Sequence, residues 1–129
     1  MDGYSRTTRT FRVLKIYKDF TFDAAHFLPA VDDGHKCKRL HGHTYRLRLW
    51  CSGPANDRGW VIDYADIATA VRPVLDALDH RLLNDIPGLE NPTTENLAPW
   101  IYARLKPALP PLTRVEVAES STTGCAFEP

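Results

Sequence analysis

The sequence predicts an α+β domain, with two helices on one face of a mainly antiparallel sheet in the order β-β-α-α-β-β. Three observations carry that reading. Residues 11–27 and 40–51 are long stretches of aromatic, β-branched and apolar residues with polar ones interspersed, as half-buried strands are. Two later stretches, from Ile67 to Leu78 and from Leu97 to Leu105, carry apolar residues at helical spacing. The chain then returns to strand-like patterns at 115–119 and 124–127. Its 129 residues fit one domain, read as a polar extension over 1–10 and a single domain over 11–129.

Hydrophobic content of 43% and charged content of 25% are those of a soluble globular protein. Sixteen basic and sixteen acidic residues give zero formal charge, which argues against broad affinity for nucleic acid or an anionic membrane. A local basic cluster remains at His35-Lys36-Cys37-Lys38-Arg39. No run approaches the roughly 18 apolar residues of a membrane span. Three cysteines, an odd count, and a polar start without an apolar leader lead us to expect free thiols in a reducing cytoplasm.

In the first strand, His26 closes the segment Asp23-Ala24-Ala25-His26. A loop containing Pro29, Asp32, Asp33 and Gly34 leads to Cys37-Lys38-Arg39-Leu40-His41-Gly42-His43. The second strand has an apolar face of Tyr45, Leu47, Leu49 and Cys51, with Arg46 and Arg48 opposite. After a turn over 53–59, Trp60-Val61-Ile62 reads as a short strand. Asp63 caps the first helix, with Asp66 in its first turn, and Pro73 is expected to bend or break it. A loop over 84–92 precedes a second helix, capped by Thr93 or Thr94, with Pro99 placed uncomfortably within it, and ended by Pro107, Pro110 and Pro111.

The densest chemistry lies between Cys37 and His43. Side chains at i and i+2 of a strand project to the same side, so His41 and His43 form a pair, and Gly42 between them leaves the backbone open to close approach. An isolated His-x-His is more often polar strand surface than a metal site. A catalytic zinc takes three protein ligands and keeps one open position. His26 and His35 compete to be the third ligand, and we favour His26 because a strand holds a ligand more firmly than a loop. Cys37 is either a fourth ligand or a separate thiol. It lacks the Cys-x-x-Cys partner of a structural zinc site, and Lys36 and Lys38 beside it favour a thiolate base or nucleophile. Cys51 and Cys125 read as small apolar strand residues. Asp79-His80, at a helix end, is either a cap with surface charge or an acid/base pair. Glu119 ends a strand and is either solvated or an acceptor of paired N–H donors from a planar heterocycle.

Together, Phe22-Asp23-Ala24-Ala25-His26, Cys37-x3-His41-Gly42-His43, Gly59-Trp60-Val61-Ile62-Asp63, Leu78-Asp79-His80, residues 83–95 and Glu119 resemble the 6-pyruvoyltetrahydropterin synthase family. Within it the resemblance is to the 6-carboxytetrahydropterin synthases of queuosine biosynthesis. The three-residue spacing between Cys37 and His41 resembles the carboxy enzymes, whereas the pyruvoyl enzymes typically have a longer insertion there. The resemblance covers about residues 17–127 and implies the tunnelling fold. That is a four-stranded antiparallel sheet backed by two helices, with protomers joined edge to edge into a trimeric β-barrel and two trimers stacked into a hexamer. It also implies zinc held by His26, His41 and His43, proton transfer by Cys37, Asp79 and His80, and a pterin ring anchored by Glu119. The implied substrate is 7,8-dihydroneopterin triphosphate, with Lys36, Lys38 and Arg39 as candidates for its phosphates. No glycine-rich dinucleotide fingerprint is present.

Overall fold

A computed structural model of the protein describes residues 12–129. Two thirteen-residue strands, β1 (Leu14–His26) and β2 (His41–Gly53), pair antiparallel along their whole length. Helix α1 (Tyr64–Leu78), the short strand β3 (Arg81–Leu82), helix α2 (Thr94–Leu105), β4 (Leu112–Ala118) and β5 (Cys125–Phe127) follow. The sheet order is β3-β1-β2-β4-β5. The α+β class is as expected, but the sheet has five strands rather than four.

The additional strand is β3, which runs parallel to β1 and pairs only at Ala24 and Ala25. Two residues are too few to show an alternating pattern, and the pairing exists because His80 N–H donates to Asp23 O at 2.6 Å as the chain leaves α1. The strand expected at Trp60-Val61-Ile62 does not form. Asn56 Oδ1 accepts from the amides of Arg58 and Trp60, and Asn56 N–H donates to Trp60 O, so both backbone groups of Trp60 are taken up by the preceding turn. Phe11 and the extension over 1–10 lie outside the described residues.

Alternation along the strands sets the layers. Phe22, Ala24 and His26 of β1, Tyr45, Leu47, Leu49 and Cys51 of β2, and Val115 and Val117 of β4 are buried against the helices. The helices answer with Ile67, Val71, Val74, Leu75 and Leu78 from α1 and Leu97, Ala98, Ile101 and Leu105 from α2. Asp63 caps α1 through Ala65 N–H at 2.9 Å, and Thr93 caps α2 through Asn96 N–H at 3.2 Å. Both helices run continuously through their prolines, Pro73 and Pro99. Neither proline lies among the fully buried stripe residues, so packing of the opposite face carries the helix across the lost hydrogen bond.

The opposite face of the sheet carries Tyr17, Asp19, Arg48, Trp50 and Glu116. Asp19 and Arg48 pair bidentately at 2.7 and 2.9 Å, the Arg48 guanidinium lies 3.8 Å over the Tyr17 ring, and Trp50 Nε1–H donates to Glu116. Leu47 lies at the centre of the covered face with no exposed surface. Leu47→Ala is expected to cost about 3 kcal/mol by the measured range for buried leucines. The check is the shift in the chemical-denaturation midpoint of the metal-free protein.

Candidate functional site

The strand register builds the centre of the site. His26 is paired with His41, and Ala24 with His43, so three imidazoles come together on the helix side of the sheet at its β1–β2 end. Ring centroids are 4.6 Å apart for His26–His41, 5.0 Å for His26–His43 and 4.9 Å for His41–His43, all steeply inclined to one another. One ring nitrogen from each lies within 4.8 Å of the others.

The hydrogen bonds around these rings set their tautomers. His26 Nδ1 lies 2.9 Å from Pro92 O, and His41 Nδ1 lies 2.7 Å from Arg39 O. A carbonyl only accepts, so each Nδ1 carries the proton and each Nε2 presents a lone pair. The Nε2 atoms of His26 and His41 face each other at 3.0 Å. Two lone pairs at that separation repel unless a cation sits between them. His26 is 1% exposed, and burial, the leading influence, pushes its imidazole below the ordinary range, which keeps it neutral. Three imidazoles with a ring nitrogen each converging on one point, two of them oriented by carbonyls, fit a divalent metal ion. Tyr45, fully buried beneath them, places its hydroxyl 3.2 Å from His26 Nδ1 and its ring nearly perpendicular to His43.

Glu119 follows β4, and its Oε2 lies 3.6 Å from His26 Nε2 and 3.7 Å from His43 Nε2. Those are ion-pair distances rather than hydrogen bonds, and Glu119 is not part of the three-histidine set. Cys37 lies outside that set too, half-buried in a single 3₁₀ turn, Lys36–Lys38. His35, the competing ligand candidate, instead accepts the Cys37 amide through Nδ1 at 3.0 Å. Lys38 bonds within its own loop, to Asp33 at 2.7 Å and Val31 O at 3.3 Å.

Asp79 and His80 are joined to the edge of β1. Asp79 Oδ1 accepts Asp23 N–H at 2.9 Å, and Oδ2 meets His80 Nδ1 at 2.9 Å. The Asp23 amide, and after it His80, hold the Asp79 carboxyl below the usual carboxylate range. The bond to Asp79 holds the His80 imidazole above its usual range. With one oxygen on the Asp23 amide and the other on His80, Asp79 orients the His80 ring against the β1 backbone. His80 has φ +58°, a left-handed conformation uncommon outside glycine, and the two bonds to the Asp23 backbone hold it there. An open groove of about 580 Å³ is lined by His43 on one side and His80 on the other, with Asp23, Gly42, Thr44 and Arg81 between.

The family model described as 6-pyruvoyl tetrahydropterin synthase matches residues 15–129. The chain belongs to that family. A 6-carboxy-5,6,7,8-tetrahydropterin synthase of Synechocystis is 40% identical over 119 residues, covering 87% of this chain and 91% of the relative. A dihydroneopterin monophosphate aldolase of Pyrococcus furiosus is 37% identical over 111 residues, covering 84% and 91%. The fold matches that of the Caenorhabditis elegans 6-pyruvoyl tetrahydropterin synthase with a TM-score of 0.85 at 24% identity, over 95% of this chain and 99% of the other.

Sequence reasoning missed the carbonyls of Arg39 and Pro92, which have no residue-type signal, and the part of Asp23, whose backbone does the work. Tyr45 carried a usable signal, since it shares strand parity with His41 and His43.

His26→Ala is expected to lose bound metal on dialysis while His35→Ala retains it, as measured by elemental analysis. The Asp79–His80 pair is expected to stabilise the fold only inside a pH window. His80 is raised, so its contribution is present below the ordinary imidazole range and fades as pH rises through the raised value. Asp79 is lowered, so its contribution is present above the ordinary carboxylate range and fades as pH falls through the lowered value. Asp79→Asn should move the His80 titration down toward that of a free imidazole, as read by NMR.

Proposed function

We propose that this protein is a zinc-dependent 6-carboxytetrahydropterin synthase. It converts 7,8-dihydroneopterin triphosphate and one water to 6-carboxy-5,6,7,8-tetrahydropterin, acetaldehyde and triphosphate, in the route to queuosine. The observation that carries the reading is the His26–His41–His43 centre, two of whose Nδ1 atoms are tied to carbonyls, with a cysteine nearby in sequence but outside the donor set. The similarity to relatives named for this activity, at 40% identity in Synechocystis and 31% in Bacillus subtilis, supports it.

Zinc on three imidazoles, with one position open, would polarise the vicinal hydroxyls of the substrate side chain and stabilise developing negative charge. The chain's own groups handle protons. Cys37 acts as the base on the side chain. His80, whose imidazole Asp79 holds above its usual range, donates a proton elsewhere on the substrate. Internal proton movement of this kind transfers oxidation level from side chain to ring without a nicotinamide. Glu119 accepts paired N–H donors of the pterin ring, and Lys36, Lys38 and Arg39 are the basic candidates for the triphosphate.

The chain is expected to work as a homo-oligomer, a hexamer of two trimers. Over residues 14–22 the β1 edge away from β2 has no partner strand among the described residues, and neither does the outer edge of β5. Long open edges call for cover, and a neighbour's edge provides it. His80, exposed in the single chain, would then be enclosed by a neighbouring protomer. No described helix is long and apolar enough to cross a membrane. With all three cysteines free, a cytoplasmic setting fits. We assign residues 11–129 to one domain and 1–10 to an extension preceding it.

A second reading has its own support, since the Pyrococcus relative is named an aldolase acting on a dihydroneopterin monophosphate. Incubation of zinc-loaded protein with dihydroneopterin triphosphate is expected to release acetaldehyde and a 6-carboxy pterin. A 6-pyruvoyl product would instead identify the pyruvoyl-forming reaction. Carbon–carbon cleavage of the monophosphate, leaving a ring at the dihydro level, would identify the aldolase. No turnover on any pterin would leave a zinc- or pterin-binding module. Cys37→Ala is expected to keep its zinc and lose turnover by at least about a hundredfold, as removal of a general base does. Light scattering should give six times the chain mass, and a stable monomer would contradict the shared-site arrangement.

A further inference from the structure

We propose that His35 is a positioning residue that sets where Cys37 stands, by capping the turn that carries it. The proposal rests on Cys37 acting as the base. Cys37 is on neither a helix of useful length nor a strand, so regular backbone pairing does not place it. Side-chain and backbone bonds around the turn do so instead. His35, in extended conformation, accepts the Cys37 amide through Nδ1 at 3.0 Å, in the manner of an N-cap on the second amide of a turn. The Cys37 carbonyl accepts Leu28 N–H at 2.8 Å, tying the turn to the chain just beyond the ligand His26. Lys38 fastens the far end of the turn through Asp33 and Val31. Backbone bonds from Lys38 to His35 at 3.1 Å and from Arg39 to Lys36 at 3.1 Å close it. Of these contacts, the His35 ring alone is a side chain acting directly on the Cys37 residue.

The chemistry of the cap makes the proposal testable. Nδ1 must carry a lone pair to accept the amide, so the proton of the neutral ring is on Nε2. An asparagine at the same position presents an amide oxygen that can accept the same N–H, and alanine presents nothing. Residue 35 therefore acts through acceptor geometry rather than through the bulk of an imidazole. This also accounts for a histidine six residues before His41 that takes no part in the metal set.

The experiment compares the zinc-loaded full chain with its His35→Ala and His35→Asn variants. Cys37 alkylation by iodoacetamide is followed peptide by peptide in a mass spectrometer, alongside pterin turnover and zinc content. In His35→Ala, turnover is expected to fall about fivefold and alkylation of Cys37 to rise by a similar factor. That is the population change produced by losing a cap of about 1 kcal/mol. His35→Asn should bring both within about twofold of the unaltered protein, as cap-competent residues do. Zinc content should not change in either variant. Unaltered alkylation in His35→Ala, equal impairment in His35→Asn, or loss of zinc from either would each overturn the proposal. Full turnover by Cys37→Ala would instead remove the functional reading, while the alkylation comparison would still report on the cap.

Discussion

The register between β1 and β2 is the constraint on which the rest of the structure depends. Thirteen paired residues run from Leu14 against Gly53 to His26 against His41. Because strand side chains alternate, a slip of one residue would send His41 and His43 to the uncovered face and Tyr45, Leu47 and Leu49 into water. Each buried leucine is worth about 1.5–3 kcal/mol relative to exposure, so Leu47 and Leu49, with Tyr45 beside them, decide the register against any competing polar pairing. The metal-binding geometry is therefore a by-product of core packing. His26, His41 and His43 occupy the end of the same alternating pattern that makes the core, and the imidazoles take their places because the leucines have taken theirs.

That origin separates two kinds of histidine. On the covered side, burial keeps His26 neutral, and carbonyls from Pro92 and the end of the Cys37 loop fix which nitrogens can reach a metal. At the open edge of β1, Asp79 keeps His80 inclined to hold its proton. A lone pair suits a metal and a proton suits an acid, so the same side-chain type is prepared for opposite purposes in two environments, one at the end of β1 and one in the turn before β3. Asp23 links them. Its carbonyl and amide anchor His80 and Asp79, while its strand carries His26 three residues later.

Much of this was legible in the residues because strands and metal ligands follow short periodicities. The i, i+2 spacing of His41 and His43 and the apolar parity of Tyr45, Leu47, Leu49 and Cys51 give the second strand and its ligand face. The choice of His26 over His35 followed from strand rigidity, and the structure places the two as that argument expects. Local features that depend on hydrogen-bond competition were misread. Trp60-Val61-Ile62 looks like a strand by composition, but the Asn56 side chain and backbone claim its polar groups first. Pro73, expected to bend or break its helix, does not break it, because burial of the opposite helix face outweighs one missing bond.

The sequence by itself determined the α+β class, both long strands, both helices with their caps, and the residue types of the site, because each rests on contacts between near neighbours along the chain. Only the tertiary structure decided the rest. It brought Pro92 O to His26 across 66 positions and joined Asp79 to Asp23 across 56. It also added β3 to the sheet and turned His35 from a rival ligand into the cap on Cys37. Most of these are pairings to backbone groups, which every residue carries alike, so no spacing of side-chain types can announce them.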